Sequence, residues 1–468
     1  PGDYLIFQST LISASKTGKR GNAMATKFIK LVALLCLTHC WATGAFAQTT
    51  AKTLSLEQAV RIGVEHNLTL KAARQDLEAS EWGLRQAYSN WLPKVEVAGG
   101  YTRLDDETVR RANVFVDMGR QMGIDPSDLK PAAYRESYST NVTVIQPIYN
   151  GGAEWSGIRM ACAGRKISRY ALQDAEQETT LRIKRAYFNA LKTQERCALA
   201  KEATASTEQH LTQVRRRLEV GSGNRADVLR WEVQLAQDQG NAVEAENGLA
   251  ISKAALNEAM GVALEESYEL APVSMDEMEE GGTDDPMAPS AAAHPSVRTM
   301  QASVDLQQAN VRMAQSGFQP KVNMAYNRSW EQDDTIQLDG DKTWSVSIQA
   351  HFPIFNSFGD YAGVRKAKAQ KRKTEMTAER VRKGILLQVT SASLNVTAAR
   401  TRIKIARKGV EQAEENLRIV QNMYDVGTLS NMDLIDTQLA RNGARANLIN
   451  AVYDYYIAEA ELERALGR

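Results

Sequence analysis

Residues 146–161 (QPIYNGGAEWSGIRMA) and 352–367 (FPIFNSFGDYAGVRKA) are two versions of one passage, 206 positions apart. The same offset pairs Asn189 with Asn395, Val220-Gly221 with Val426-Gly427, Asp227 with Asp433, and Met260-Gly261 with Leu466-Gly467. A register kept over about 115 residues demands elements that tolerate no insertion, as continuous helices do and loops do not. Earlier, 90–95 (NWLPKV) corresponds to 317–322 (GFQPKV) at an offset of 227, so the halves differ by 21 residues in what lies between. That difference is assigned to one long loop in 103–137, where Arg103, Arg110, Arg111, Asp125 and Asp128 lie. The chain is read as two copies of one unit, 48–263 and 294–468.

After Pro93 and Pro320 the pattern switches to period two, the mark of a strand with two unlike faces. Val95, Val97, Gly99 and Tyr101 alternate with Lys94, Glu96 and Ala98, and Tyr138, Thr140, Val142 and Val144 with Ser139, Asn141, Thr143 and Ile145. In the second half Val322, Met324 and Tyr326 alternate with Lys321, Asn323, Ala325 and Asn327, and Trp344, Val346, Ile348 and Ala350 with Ser345, Ser347, Gln349 and His351. Strands are expected at about 94–103, 138–147, 321–330 and 343–352, long enough for a tilted strand to cross a bilayer.

The remainder reads as helix. Residues 154–219 and 360–425 contain no proline and favour helix by composition, each about 100 Å long at 1.5 Å per residue. Gly221 and Gly427 break them, and helices resume to give hairpins over 154–261 and 360–467. Residues 264–293, rich in Asp, Glu, Pro, Gly and Ser, read as an acidic connector, or simply a solvated linker.

From Met24 a basic stretch with Lys27 and Lys30, an apolar core from Leu31 to Leu37 and an Ala45-Phe46-Ala47 site read as a secretory signal peptide over 24–47. Residues 1–23, upstream of a plausible initiator Met, read as a non-native or upstream segment. Setting aside 1–47 turns the formal charge of +1 into a balance of about −3, which does not suggest nucleic-acid binding. Cys36 and Cys40 belong to the signal and sit in no convincing lipobox. Cys162 and Cys197, placed on one long helix about 50 Å apart, are too distant to pair and are expected to be ordinary buried thiols. His66, His210, His294 and His351 are scattered without metal-ligand spacing, and no phosphate loop, nucleophile elbow or dinucleotide fingerprint stands out. No cofactor, metal or catalytic site is expected.

Four strands cannot close a membrane barrel, because two edges would expose unpaired backbone groups to lipid. A secreted chain of this kind shares a barrel between copies, which predicts a symmetric ring, or its strands do not span a membrane. The rival reading is a periplasmic coiled-coil scaffold or adaptor with no pore. It accounts for the signal and the helices, and leaves the four alternating strands unexplained.

The chain resembles the TolC family of outer-membrane efflux proteins over essentially all of Leu54 to Gly467. The residues that carry the likeness are Leu54–Ala59 (LSLEQA), Trp91-Leu92-Pro93, Pro353–Asn356 (PIFN), Tyr424–Asp436 (YDVGTLSNMDLID) and Ala465-Leu466-Gly467. The resemblance implies a mainly α fold with a β-barrel part: a homotrimer with a 12-stranded transmembrane barrel and a long helical periplasmic barrel. It implies an exit duct for efflux or type I secretion in the outer membrane of a Gram-negative bacterium, extending into the periplasm. The implied partners are a periplasmic adaptor, an inner-membrane efflux pump or ABC exporter, and outer-membrane lipid. By position, Val220-Gly221 and Val426-Gly427 resemble adaptor-docking turns, or are plain helix-breaking turns. Asp433 and Asp436 match carboxylates at a periplasmic constriction, or form an exposed acidic helix start. Asp227 and Tyr424 fit positions of a latch at the closed tip. Leu429 departs from the arginine found in a closed channel of the family, so the resting state is expected to be looser or differently bonded.

Overall fold

The computed structural model describes residues 53–125, 129, 131–272, 290–332 and 341–468. The upstream segment 1–23 and the signal 24–47 lie outside the described residues, as do 273–289 of the acidic connector. Residues Leu54–Arg468 form one compact unit.

A capping box starts the first helix, α1 (Leu56–His66): the Ser55 hydroxyl accepts from the Gln58 N–H, and the Gln58 side chain accepts from the Ser55 N–H. Asn67 ends it and caps α2 (Leu68–Ser89), accepting from Thr69 and Leu70. Strand β1 (Lys94–Arg103) follows, then two short helices, α3 (Asp106–Ala112) and α4 (Val114–Gln121), then β2 (Glu136–Asn150). A long hairpin comes next, α5 (Ala153–Glu219) and α6 (Arg225–Met260). The second half repeats the order with α7 (Pro295–Gln315), β3 (Lys321–Gln332), β4 (Asp341–His351), α8 (Gly359–Asp425) and α9 (Asn431–Ala465).

The internal repeat has a structural counterpart. Gly261, at φ +74°, ends the first hairpin against the backbone of Asn67, whose side-chain N–H donates to the Ala259 carbonyl at 3.0 Å. Gly467, at φ +75°, meets His294, which caps α7 by accepting from Ser296 and contacts Arg464 at 2.9 Å. Each half therefore ties the end of its hairpin to the start of its own strand-bearing arm. A side chain at either glycine would need a left-handed backbone as well as space already filled.

The helices pack at coiled-coil spacing. Buried residues of α8 fall at Ile385, Val389, Ala392, Val396, Ala399 and Ile403, steps of four and three that keep one seam inward. They join Ile183, Tyr187, Phe188 and Leu191 of α5, Leu256 and Met260 of α6, and Val452, Tyr453, Tyr455 and Tyr456 of α9 in the main core. The Tyr187 hydroxyl donates into the pair of carbonyls at Leu54 (3.0 Å) and Ala271 (2.9 Å), and burial pushes its pKa up to about 12. Cys197 is buried, but Cys162 on the same helix is only half-buried, which corrects the expectation that both thiols are interior.

The sheet is antiparallel throughout, in the order β1-β2-β3-β4. Strand β2 runs past Pro147 with its register shifting between Pro147 and Tyr149, the kind of irregularity at which a residue without an N–H is tolerated. Among the described residues, the outer edges of β1 and β4 pair with nothing. The stretch between β1 and β2, expected as a loop, holds α3 and α4. Asp105 caps α3, and Asn113 gathers the return path by accepting from the Ala132 and Ala133 N–H groups. Residues 126–128 and 130 of that stretch lie outside the described residues.

Candidate functional site

Helices α5 and α8 end in the same geometry. Ser222 N–H donates to the Arg217 carbonyl (2.9 Å) and Gly221 N–H to Leu218 (3.0 Å); Thr428 N–H donates to Met423 (3.0 Å) and Gly427 N–H to Tyr424 (3.0 Å). This is the double bond pattern of a helix closed by a left-handed glycine, with φ +76° at Gly221 and +80° at Gly427. The turns thus account fully for the glycines. They do not account for the valines, which stand 78% (Val220) and 75% (Val426) exposed at helix ends that need no apolar side chain.

Past the second turn Ser430 opens α9 in a capping box with Asp433, whose carboxylate accepts from the Ser430 N–H (3.0 Å) and hydroxyl (2.7 Å). Those bonds, the hydroxyl's first, hold the Asp433 carboxyl below the usual range. Asp436, one turn on, is exposed and among the described residues has no hydrogen bond or ion pair. Asp227, at the matching position of α6, pairs with Arg230 at 3.7 Å.

Tyr424 is buried behind the turns. Its hydroxyl donates to the Asn431 side-chain oxygen at 2.6 Å, and the same oxygen accepts from the Trp231 indole N–H at 3.1 Å. The Arg217 guanidinium lies over the Tyr424 ring at 4.9 Å. His210 stacks on Trp231 with centroids 5.0 Å apart, and its Nε2 is 2.6 Å from the Gln438 side-chain nitrogen. Leu211, Val214, Val228, Leu434 and Ile435 enclose the group. Burial holds the His210 pKa below its ordinary value, the charge of Asp425 opposing, and burial raises that of Tyr424, with the nearby Asp227 acting the same way. The network ties the first hairpin to the second. Sequence reading singled out Tyr424 and Asp227 but missed Trp231, Asn431 and His210. The one available signal was a tryptophan among Val228, Leu229, Val233 and Leu235 in the first turns of α6.

A groove of about 510 Å³ lies between α5, α6 and α9, lined by Ala200, Ala203, Gly248, Gly443 and Ala446 among others. Helix α8 leaves a second apolar stripe exposed: Leu387, Leu394, Ile405, Ile419 and Met423, at steps that keep one helical face. Among the described residues, no group of three or more His, Cys, Asp or Glu side chains is placed to hold a metal.

The sheet has one apolar and one polar face. Val95 and Val97 on β1 and Trp344, Val346 and Ile348 on β4 are exposed on the first, Val97 by 70% and Trp344 by 72%. On the second, the Thr143 hydroxyl donates to Asn327 at 2.8 Å, beside Ser345, Ser347 and Gln349. Aromatics gather at both ends: Tyr101 with Tyr138 and Trp330 with Trp344 at one, Trp91 against Trp155 (4.9 Å) with Phe318, Phe352 and Phe355 at the other. Such belts are the signature of strands that cross a bilayer. No helix among the described residues is long and apolar enough to cross a membrane.

The chain is 22% identical over 441 residues to the alkaline protease secretion protein AprF of Pseudomonas aeruginosa, covering 91% of this chain and 88% of that protein. It is 24% identical over 391 residues to the outer membrane efflux protein BepC of Brucella suis, covering 82% and 84%. Its fold matches the Campylobacter jejuni CmeC outer membrane channel with a TM-score of 0.75 at 19% identity, over 88% of this chain and 85% of that one. It also matches the open-state Neisseria gonorrhoeae MtrE outer membrane channel, with a TM-score of 0.72 at 18% identity, over 88% of each chain. The sequence model described as outer membrane efflux protein matches residues 63–262 and 290–468, both halves of the repeat. The chain therefore belongs to the outer membrane efflux protein family, and its place is the outer membrane of a Gram-negative bacterium.

Proposed function

We propose that three copies of this chain, after removal of 24–47 as a signal peptide, assemble into a passive export duct. The single observation that carries this is the four-stranded sheet with an exposed apolar face and, among the described residues, two unpaired edges. Such a sheet is unstable in lipid alone and complete once β1 of one copy meets β4 of the next, giving twelve strands in all. The exposed stripe on α8 supports the same arrangement, since it gives neighbouring copies a seam below the barrel.

The helical part reaches into the periplasm, where the exposed Val220 and Val426 at the hairpin turns receive a periplasmic adaptor. The small residues of the α5–α6–α9 groove let an adaptor helix approach closely. An inner-membrane pump or ABC exporter supplies the cargo and the energy. Threefold symmetry places Asp433 and Asp436 as six carboxylates around one axis, a constriction that favours cations. Tyr424 and Asp227 hold the tip, Tyr424 through Asn431 rather than as a free hydroxyl.

Membrane extraction followed by native mass spectrometry tests the assembly. A duct stays with the membrane through alkaline carbonate and shows three chain masses in detergent. A monomer that washes off with carbonate is a periplasmic scaffold and sinks the proposal.

A further inference from the structure

Arg328 breaks the apolar face of the sheet. The register lines up Val97, Val142, Arg328 and Trp344 across the four strands, with Val144, Tyr326 and Val346 in the row nearer the helices. The next row outward carries Thr140, Trp330 and Lys342, so Lys342 stands opposite Trp330 and diagonal to Arg328. Both cations are exposed, and among the described residues neither has a carboxylate partner. Glu331, between Trp330 and Gln332 on β3, points to the polar face by strand alternation. The Arg328 guanidinium carbon lies 5.0 Å from the Trp330 ring centre, which holds the fork flat against the aromatic belt.

A guanidinium on a lipid-facing wall that finds no carboxylate among the described residues is costly unless an anion meets it. This pair sits at the end of the sheet remote from the helices, which in the proposed duct is the outer leaflet. Trp330 and Trp344 mark the level where hydrocarbon gives way to headgroups. A guanidinium takes two oxygens of one phosphate, and a diagonal cross-strand neighbour at about 7–8 Å brings a second positive charge to the same group.

We propose that Arg328 and Lys342 form a binding site for the phosphate of an outer-leaflet glycolipid, whose sugar rests on Trp330 and Trp344. The inference rests on the duct reading, since it needs this face to meet lipid. It adds a lipid ligand to a wall that otherwise offers only apolar contact.

The test compares the full-length assembled protein with Arg328→Gln/Lys342→Gln, both reconstituted in lipid nanodiscs. Each is titrated with phosphorylated lipid A, with the same lipid enzymatically dephosphorylated, and with inorganic phosphate as competitor, and bound lipid is read by native mass spectrometry. The wild type is expected to prefer the phosphorylated lipid by about ten-fold or more. The double variant loses that preference, Arg328→Lys keeps part of it, and inorganic phosphate does not displace the lipid. Equal retention by wild type and variant overturns the site, as does ready displacement by free phosphate. If the double variant fails to assemble, Lys342→Gln alone must still lower the preference. Insertion into the nanodisc is scored separately: a wild type that inserts without any preference overturns the lipid site alone, while one that does not insert overturns the barrel beneath it.

Discussion

Asn431 is the acceptor that joins the turn ends of the two hairpins, the tip of the helical part, and Asn431→Ala should loosen that end while leaving the four-stranded sheet alone. The substitution strands two buried donors, the Trp231 indole N–H, with its ring fully buried, and the Tyr424 hydroxyl. Each buried donor left unpaired costs about 1–3 kcal/mol, and the tyrosine hydroxyl can rotate in search of another acceptor, so about 3 kcal/mol in total is expected. That corresponds to roughly a hundred-fold rise in local opening. Hydrogen-exchange mass spectrometry in detergent reads it directly: peptides over 205–235 and 415–440 lose protection by about that factor, and those over β1 to β4 do not change. Tyr424→Phe removes one donor together with its bond, so its effect is smaller, about 1 kcal/mol. Unchanged tip protection in Asn431→Ala refutes the claim that this network joins the hairpins. An equal loss across tip and strands refutes the claim that it acts locally.

His210 adds a pH dependence to the same region. Its folded pKa lies below the ordinary 6.5, chiefly through burial, with Asp425 opposing and Gln438 and Trp231 facing the ring. The stability from keeping it neutral is complete above about pH 6.5 and is lost as pH falls through the folded value. Tip peptides should therefore exchange faster at pH 5 than at pH 7.5 after correction for intrinsic rate, and His210→Gln should flatten that difference. Gly221→Ala and Gly427→Ala meet open space but force a side chain into a left-handed backbone, costing about 1–2 kcal/mol each in thermal unfolding. Val220→Ser/Val426→Ser should leave unfolding unchanged and weaken adaptor binding in a pull-down; intact binding would make the turns purely structural. On the strands, Val346→Arg should cost about 2–4 kcal/mol in folding from urea into vesicles, while its neighbour Ser347→Arg on the polar face is tolerated. Equal cost at both positions would deny the sheet its lipid side.

The sequence carried the elements better than their joins. Period-two alternation from Lys94 stops at the last residue of β1, Arg103, and the glycines at 221 and 427 close the long helices within a residue of where composition placed them. These signals are local, written in propensity and backbone freedom. Strand β2 runs longer than its alternation because an irregularity carries it past Pro147, a residue that normally reads as a stop. Helices α3 and α4 escaped notice because each spans only two turns and is held by Asn113 bonding to residues some twenty positions away. The tip network was illegible for the same reason on a larger scale. Trp231 and Asn431 stand 200 residues apart, and only the packing of α9 against α5, the hairpin partner of α6, makes one the partner of the other. Asp433 illustrates the opposite case: its place in the sequence suggested a pore-lining charge, while the structure also gives it a local task in capping α9.

Single-channel recording from the mature protein in a planar bilayer, wild type beside Asp433→Asn/Asp436→Asn, bears most directly on whether this chain makes a conduit. A small cation-selective conductance whose selectivity falls in the double variant is the expected result. A conductance indifferent to the substitution would keep the duct and remove the carboxylate constriction. No conductance from a protein that stays out of the bilayer would contradict the duct itself.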